Sequence, residues 1–156
     1  MRMLQSIELK IPPPVAALVL ALGMWGVAHF AAAREPVTLV RLILASVLAV
    51  CGVAFDLSGM IAFRRVRTTV NPMRPRATSA IVTHGVYAMT RNPMYAGLAC
   101  LLGGWAVYLG SLWAGLGPIV LVAWLTRFQI MPEEKVLADL FGADYAAYRA
   151  KVRRWI

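Results

Sequence analysis

Two long apolar stretches separated by only three residues, followed by a basic segment and a third apolar stretch, constrain this chain more than any other feature. Residues 14–33 form a run of roughly 20 residues, which at ~1.5 Å per residue matches a hydrocarbon core about 30 Å thick. Pro12, Pro13 and Pro14 precede it, where missing amide donors cost a helix nothing. Residues 37–63 make a second such run after Arg34-Glu35-Pro36. A secretory leader is the competing reading of the first run, but no clear small-residue cleavage site follows it, so a retained helical hairpin is expected. Residues 94–130 are predominantly apolar and long enough for two short spans, 94–110 and 112–130. A turn is expected at Gly110-Ser111, with the segment from Gly115 to Pro118 as the other candidate.

Composition supports the same conclusion, since 60% hydrophobic residues and a mean hydropathy of +0.68 exceed what a soluble domain of 156 residues can bury. The predicted architecture is therefore all-α: a polytopic integral membrane protein of one membrane domain with four transmembrane helices. Basic residues cluster at Arg2 and Lys10, between Arg64 and Arg91, and between Lys135 and Arg154. Placing all three clusters in the cytoplasm puts both termini there and leaves only two short connections outside. The net charge of +9, which in a soluble protein would suggest nucleic-acid binding, is then accounted for by positive-inside bias and attraction to anionic headgroups. A bacterial inner membrane is the expected location.

Within the second span Arg41 can snorkel outward, whereas Asp56 needs a partner, and Arg127 on the last span is the expected one. Cys51 and Cys100 fall in apolar spans and read as small hydrophobes, with no disulfide or metal indicated. His29 reads as an interface residue. Gly103-Gly104 permits close helix packing and leaves the oligomeric state open.

The polar segments carry the functional signal. Ahead of the third span stands Arg91-Asn92-Pro93, where Asn92 is placed to cap a helix, Pro93 to occupy its first position, and the free amides to receive an anionic group. After the last span, Met131-Pro132-Glu133-Glu134 reads as a helix start with two carboxylates in its first turn. Phe141-Gly142 ends that segment. Asp144 opens another in which Tyr145, Tyr148 and Val152 share a face, as in an interfacial helix. The two tyrosines are either headgroup anchors or ligand contacts, and His84 reads first as an ordinary loop histidine.

In their order along the chain, these pieces resemble the isoprenylcysteine carboxyl methyltransferase family, as a bacterial relative, and more widely the membrane phospholipid methyltransferases. The resemblance covers residues 81–155. It rests on Gly85-x-Tyr87, Arg91-Asn92-Pro93-Met94-Tyr95-x-Gly97, an apolar hairpin, Glu133-Glu134-x-x-Leu137, Phe141-Gly142-x-x-Tyr145-x-x-Tyr148 and Val152-x-Arg154. Asn92 stands where family members commonly carry histidine. The resemblance implies an S-adenosylmethionine-dependent methyltransferase acting at the cytoplasmic membrane face on a lipophilic small-molecule or lipid-modified acceptor. The acceptor would be an isoprenylcysteine-like carboxylate or another small amphiphile. It implies a cofactor pocket closed by the loop before span three and by the C-terminal tail, with Val82, Thr83, His84, Gly85, Tyr87, Arg91, Asn92, Pro93, Tyr95, Gly97, Glu133 and Glu134 as its residues. Lys151 is the first candidate to orient the acceptor, with Arg149 and Arg153 beside it. Neither nucleic acid nor metal is implied. Two other readings share this architecture: a non-catalytic membrane protein that binds a lipid or partner in the same cavity, and a sterol-type reductase, for which the chain is short.

Overall fold

The computed structural model describes residues 8–30, 36–66 and 75–156, and the described residues are helical with no strand. Arg2, the Arg34-Glu35 connection and residues 67–74 of the central basic segment lie outside them. Five α-helices follow one another: α1 (Pro13–Phe30), α2 (Leu39–Val66), α3 (Pro93–Leu109), α4 (Leu116–Leu125) and α5 (Met131–Lys151). Short 3-10 turns occupy Pro75–Ala77 and Gly85–Ala88, and a π-helical turn, Thr126–Ile130, joins α4 to α5.

Two of these helices, α1 and α2, are long and apolar enough to cross a membrane. A core helix of a soluble protein passes the same test of length, but it would hide its apolar side chains. Here Leu18, Val19, Leu22, Leu39, Val40 and Val50 are each at least 60% exposed, a surface that water would not tolerate and lipid covers at no cost. The protein is membrane-associated.

Helix α3 is the hub. On one side it lies against α2 along a stripe of small residues: Ala45, Gly52 and Gly59 are buried on α2 at seven-residue spacing, and Gly97 and Gly104 answer them on α3 at the same spacing. The two helices run in opposite directions. A Cβ on Gly52 would come within 2.8 Å of the Gly97 carbonyl oxygen, and one on Gly104 within 2.9 Å of the Ala45 carbonyl oxygen, so only hydrogen fits between the backbones. On its other side α3 meets α1 and α4 in an apolar cluster that includes Met24, Ala28, Leu102, Leu121 and Leu125. The Trp105 indole N–H spends itself on the Ala21 carbonyl at 3.0 Å, tying α1 to α3.

The turn after α3 is built by Gly110, which takes the left-handed conformation (φ 61°), as a helix C-terminus favours. The Arg41 guanidinium lies against that glycine and donates to the carbonyls of Tyr108 at 2.8 Å, Val107 at 3.2 Å and Pro36 at 2.7 Å. The expected snorkelling cation is thus also the cap for the last carbonyls of α3. The expected turn at Gly110-Ser111 forms, but the connection extends to Gly115, so the helix expected from residue 112 starts at Leu116.

That helix also fails to stop at 130. It runs through the π turn into α5, and Met131-Pro132-Glu133-Glu134 is therefore not a free helix start. Pro132 has no N–H to give the carbonyl of Phe128 four residues back, a vacancy that favours a wider turn. The Phe128 carbonyl instead accepts from the Leu9 N–H at 3.1 Å. Gln129 and Arg127 bind the same N-terminal segment, through the Ile11 carbonyl at 2.7 Å and the Glu8 carboxylate at 2.6 Å. This pairing corrects the expected Asp56–Arg127 bridge: Arg127 is turned to Glu8, and Asp56 faces Gly97 of α3. Within α5, Gly142 leaves helical geometry (φ 47°, ψ −116°) and kinks the helix where Phe141-Gly142 was expected to end it.

Candidate functional site

A cavity lies between the start of α3, the inner face of α5 and the irregular segment around Thr78–Val82. Its polar wall combines Arg91, Asn92 and Glu133 with the rings of Tyr87, Tyr95, Tyr145 and Tyr148, and Phe63, Met94 and Leu137 supply the apolar remainder. Three separate elements must meet for this set to exist. The means are hydrogen bonds at the C-terminus. Past the end of α5, the chain becomes extended at Val152 (φ −120°, ψ 133°) and lies along residues 90–92. The Arg91 N–H donates to the Arg153 carbonyl at 3.0 Å, and the Arg154 carbonyl accepts from both Thr90 Oγ1 at 3.1 Å and Asn92 Nδ2 at 3.0 Å. Thr90 is fully buried in this seam. Trp155 pins the far end by donating its indole N–H to Thr126 Oγ1 at 3.2 Å.

Behind the cavity wall sits a charge triad. Arg154 donates to both oxygens of Glu134, Nε to Oε1 at 3.0 Å and Nη2 to Oε2 at 2.7 Å, a fork geometry that carboxylates favour. Arg91 Nη1 approaches the same Glu134 Oε1 at 3.1 Å. The Glu134 side chain is about nine-tenths buried, and a carboxylate there requires such partners. The Glu134 hydrogen bonds and charge in turn hold the Arg154 guanidinium above its ordinary pKa. Arg91 is not satisfied by this contact. Its side chain is only 10% exposed, and among the described residues its Nε and Nη1 have no hydrogen-bond partner; the ion pair with Glu134 supplies charge without hydrogen-bond alignment. Buried donors of this kind are normally paired, and these belong to a residue that lines the cavity.

Glu133 is the second carboxylate. It accepts from the Tyr95 hydroxyl at 3.0 Å, and the surface it retains opens on the cavity. Burial raises its pKa to about 7; the Tyr95 hydrogen bond opposes this rise and the Glu134 charge adds to it. Burial also lifts the phenol of Tyr145 to about 12 and those of Tyr87 and Tyr148 higher still, so these rings are neutral hydrogen-bonding and stacking groups. Tyr148 spends its hydroxyl on the Tyr87 carbonyl at 2.7 Å, fastening α5 to the 3-10 turn.

Of the residues expected to hold a cofactor, Val82, Tyr87, Arg91, Asn92, Tyr95 and Glu133 line this cavity. Glu134 is one layer behind, committed to its arginines. Pro93 is buried in the first turn of α3, and Gly97 is packed on α2. Thr83, His84 and Gly85 are exposed and outside the cavity. Asn92 stands at the head of α3 but makes no side-chain cap, its amide being spent on the C-terminal strap. Tyr145 and Tyr148, 3% and 8% exposed, face inward and are not headgroup anchors. Lys151, Arg149 and Arg153 are exposed on the tail and do not line the cavity; Arg149 lies 6.0 Å above the Tyr145 ring. Arg154, adjacent to them and not among the expected site residues, is the basic residue of the tail that turns inward. Leu137 was findable from its position one turn after Glu133 on the same helical face. Among the described residues no cluster of ligating side chains could hold a metal ion.

The phospholipid methyltransferase family matches residues 40–144, from the start of α2 to just past the kink in α5. The chain belongs to that family. An uncharacterized protein of Haemophilus influenzae is 41% identical over 63 residues, which are 40% of this chain and the whole of that protein. No solved structure matches. Membership places this chain among the membrane methyltransferases, which generally use S-adenosylmethionine, and the matched region carries every cavity residue except those of the tail beyond residue 144.

Proposed function

We propose that this protein is an S-adenosylmethionine-dependent methyltransferase that works at the cytoplasmic face of the membrane on a lipophilic acceptor. The observation that carries the reading is the joining, in one cavity, of the buried Arg91 guanidinium, whose Nε and Nη1 have no aligned hydrogen bond among the described residues, to the Glu133–Tyr95 pair. S-adenosylmethionine carries a carboxylate, an ammonium group, ribose hydroxyls, an adenine and a sulfonium. Arg91 offers donors to the carboxylate, Glu133 an acceptor to the ammonium or hydroxyls, and the Tyr87 and Tyr95 rings an electron-rich face to the adenine or sulfonium. When bound, the cofactor supplies an electrophilic methyl group for in-line displacement. The residues around it bind, orient and exclude water, which is most of what such a displacement asks of a protein.

Volume sets a condition on this reading. The cavity measures about 100 Å³, below the ~300 Å³ at which small-molecule sites begin. Cofactor binding therefore requires a wall to move. The wall at Thr78–Val82 is the one without regular secondary structure, so we assign the movement to it.

In this reading α1, α2, α3 and the α4–π segment are the four membrane crossings, with both termini and the cavity on the cytoplasmic side. The acceptor is an amphiphile, such as an isoprenylcysteine-like carboxylate, that arrives from the inner leaflet. Lys151, with Arg149 and Arg153, draws its anionic head toward the cavity from the exposed side of the tail.

Calorimetry of purified protein with S-adenosylmethionine and S-adenosylhomocysteine tests the cofactor assignment. Saturable binding near one per chain, weakened in Arg91→Lys and Glu133→Gln, is expected; no binding to folded protein would remove it. Transfer of a labelled methyl group to membrane extracts separates a working enzyme from a protein that only binds.

A further inference from the structure

On the opposite side of the wall that carries Tyr87, a second concavity of about 550 Å³ runs along the outside of α2. One wall is a stripe of α2 at steps of three and four residues, from Cys51 through Phe55, Ser58 and Ala62 to Arg65, and the other is the turn from His84 to Met89. The groove does not open into the cavity's polar wall, since the packed cluster of Ala62, Val82 and Tyr87, with Val86 beside it, stands between them. None of the motif chemistry uses it.

Its two ends differ. From Cys51 to Ala62 the lining is almost wholly apolar, and at ~1.5 Å per residue the stripe to Arg65 is about 21 Å long, a large part of one acyl chain's reach across a ~30 Å core. At the cytoplasm-proximal end stand Arg65 and His84, and among the described residues no acidic side chain lines the groove. Both are exposed, and among the described residues neither side chain has a hydrogen bond or ion pair. Gly85 keeps the mouth open: its φ of 63° requires glycine, and no atom lies within 4 Å of where a Cβ would sit. Asp56, the nearest intramembrane acid on α2, is turned toward Gly97 of α3 and does not line the groove.

A slot with an apolar floor and, among the described residues, two basic side chains without a partner at its headgroup end and no acid fits one occupant. We infer that the groove between α2 and the His84–Met89 turn is a binding site for an anionic phospholipid, its phosphate held by Arg65 and His84 and one acyl chain laid along α2 toward Cys51. A lipid with a choline head brings the same phosphate together with a cation that finds no partner here. Anionic lipids are therefore selected over zwitterionic ones. The site is independent of the cofactor assignment.

The test uses the full chain in bilayers of phosphatidylcholine doped with phosphatidylglycerol or phosphatidylcholine bearing a photoactivatable diazirine in one acyl chain, with adducts mapped by peptide mass spectrometry. Phosphatidylglycerol should label residues 51–62 and 85–89 about fivefold more than phosphatidylcholine does, the contribution of one basic residue beside an anionic head. Arg65→Glu should abolish that excess, Arg76→Glu, the same charge change on an exposed turn outside the groove, should leave it, and Ala54→Trp should reduce labelling by both lipids by filling the slot. Adducts spread evenly over the exposed faces of α1 and α2 would overturn the inference. So would equal losses in Arg65→Glu and Arg76→Glu, which would reduce the effect to bulk surface charge. Because the readout is the position of adducts and not turnover, loss of methyl transfer does not bear on it.

Discussion

The helical pair α1–α2 and the region from Thr90 to Trp155 are built on opposite plans. Along α1 and α2 most apolar side chains point away from the protein: Phe30 is 82% exposed and Leu39 72%. What these helices need from sequence is length and hydropathy, and many residues satisfy that equally well. Around the cavity the reverse holds. Thr90 and Gln129 are fully buried polar residues, and the side chain of each donates to one particular carbonyl far along the chain. A membrane protein thus spends its non-specific residues on the solvent and its specific ones on the site. Substitutions in the two regions should differ accordingly in cost.

The largest effect is expected at Glu134. Glu134→Ala leaves Arg91 and Arg154 facing each other behind the cavity wall with their shared counter-ion gone, and breaking a buried pair in this way costs about 3 kcal/mol or more. The extended strap at residues 152–155 should detach, because Arg154 anchors it. Loss of cofactor binding together with a lowered unfolding midpoint in detergent is the expected result. Glu134→Gln, which keeps shape and loses charge, should fall between. Wild-type stability in Glu134→Ala would show that the triad is not what holds the tail.

Next comes the seam between the two regions. Gly97→Leu puts a side chain where the Gly52 carbonyl oxygen lies 2.8 Å from a Cβ and where the Asp56 carboxylate already sits. Overpacking of this kind costs about 1–3 kcal/mol, and here α3 would be pushed off α2. Gly103→Leu is the control six residues on, since nothing lies within 4 Å of its Cβ. The measurement is the unfolding midpoint of the two variants, and equal losses would break the distinction between packed and lipid-facing glycines.

The contrast between the regions also explains what the sequence discloses. Hydropathy and length alone place α1 and α2 within a few residues of their observed ends, because the forces that make them act locally. Gly110 and Gly142 are legible for a similar reason: each marks a backbone conformation that other residues disfavour. Motif order also names Tyr95 on α3 and Glu133 on α5, two residues that line the cavity. What stays hidden is every assignment that depends on long-range pairing. Charge alone suggests that Asp56 meets Arg127, yet Glu8 is the partner, because the carbonyl freed opposite Pro132 draws the N-terminal segment onto the π turn. Lys151 and Arg154 stand three residues apart in a basic tail, and charge alone does not say which of them turns inward. Only the extended turn at Val152 decides that Arg154 points inward and Lys151 outward.

A smaller effect, confined to the site, should appear with pH. The pKa of Glu133 is raised to about 7 from an ordinary carboxylate value of 4.5, so between these two values the folded protein binds more protons than the unfolded chain. Stability from this group is therefore highest at low pH, falls as pH rises from about 4.5 to about 7, and is level above that. Binding of a cationic ligand should run the other way, strengthening as Glu133 loses its proton near pH 7. S-adenosylmethionine, with its sulfonium, should show this more strongly than neutral-sulfur S-adenosylhomocysteine, and Glu133→Gln should flatten both profiles. Parallel profiles for the two ligands in the wild type would place the sulfonium away from Glu133.

The smallest effect is expected on α1, at Leu18 and Val19. Both are about 60% exposed on the face that lipid covers. In water, truncating such a side chain would alter the area in contact with solvent, but in a bilayer a leucine and the acyl chain that replaces it are nearly equivalent surroundings. Leu18→Ala should therefore change the unfolding free energy by less than about 0.5 kcal/mol, the range of substitutions that break no specific contact. Met24→Ala, six residues on but buried against Gly117 of α4, should cost at least about 2 kcal/mol. If Leu18→Ala proved as damaging as Met24→Ala, the outer face of α1 would be covered by protein and not by lipid. The comparison between the two regions would then hold for α2 alone.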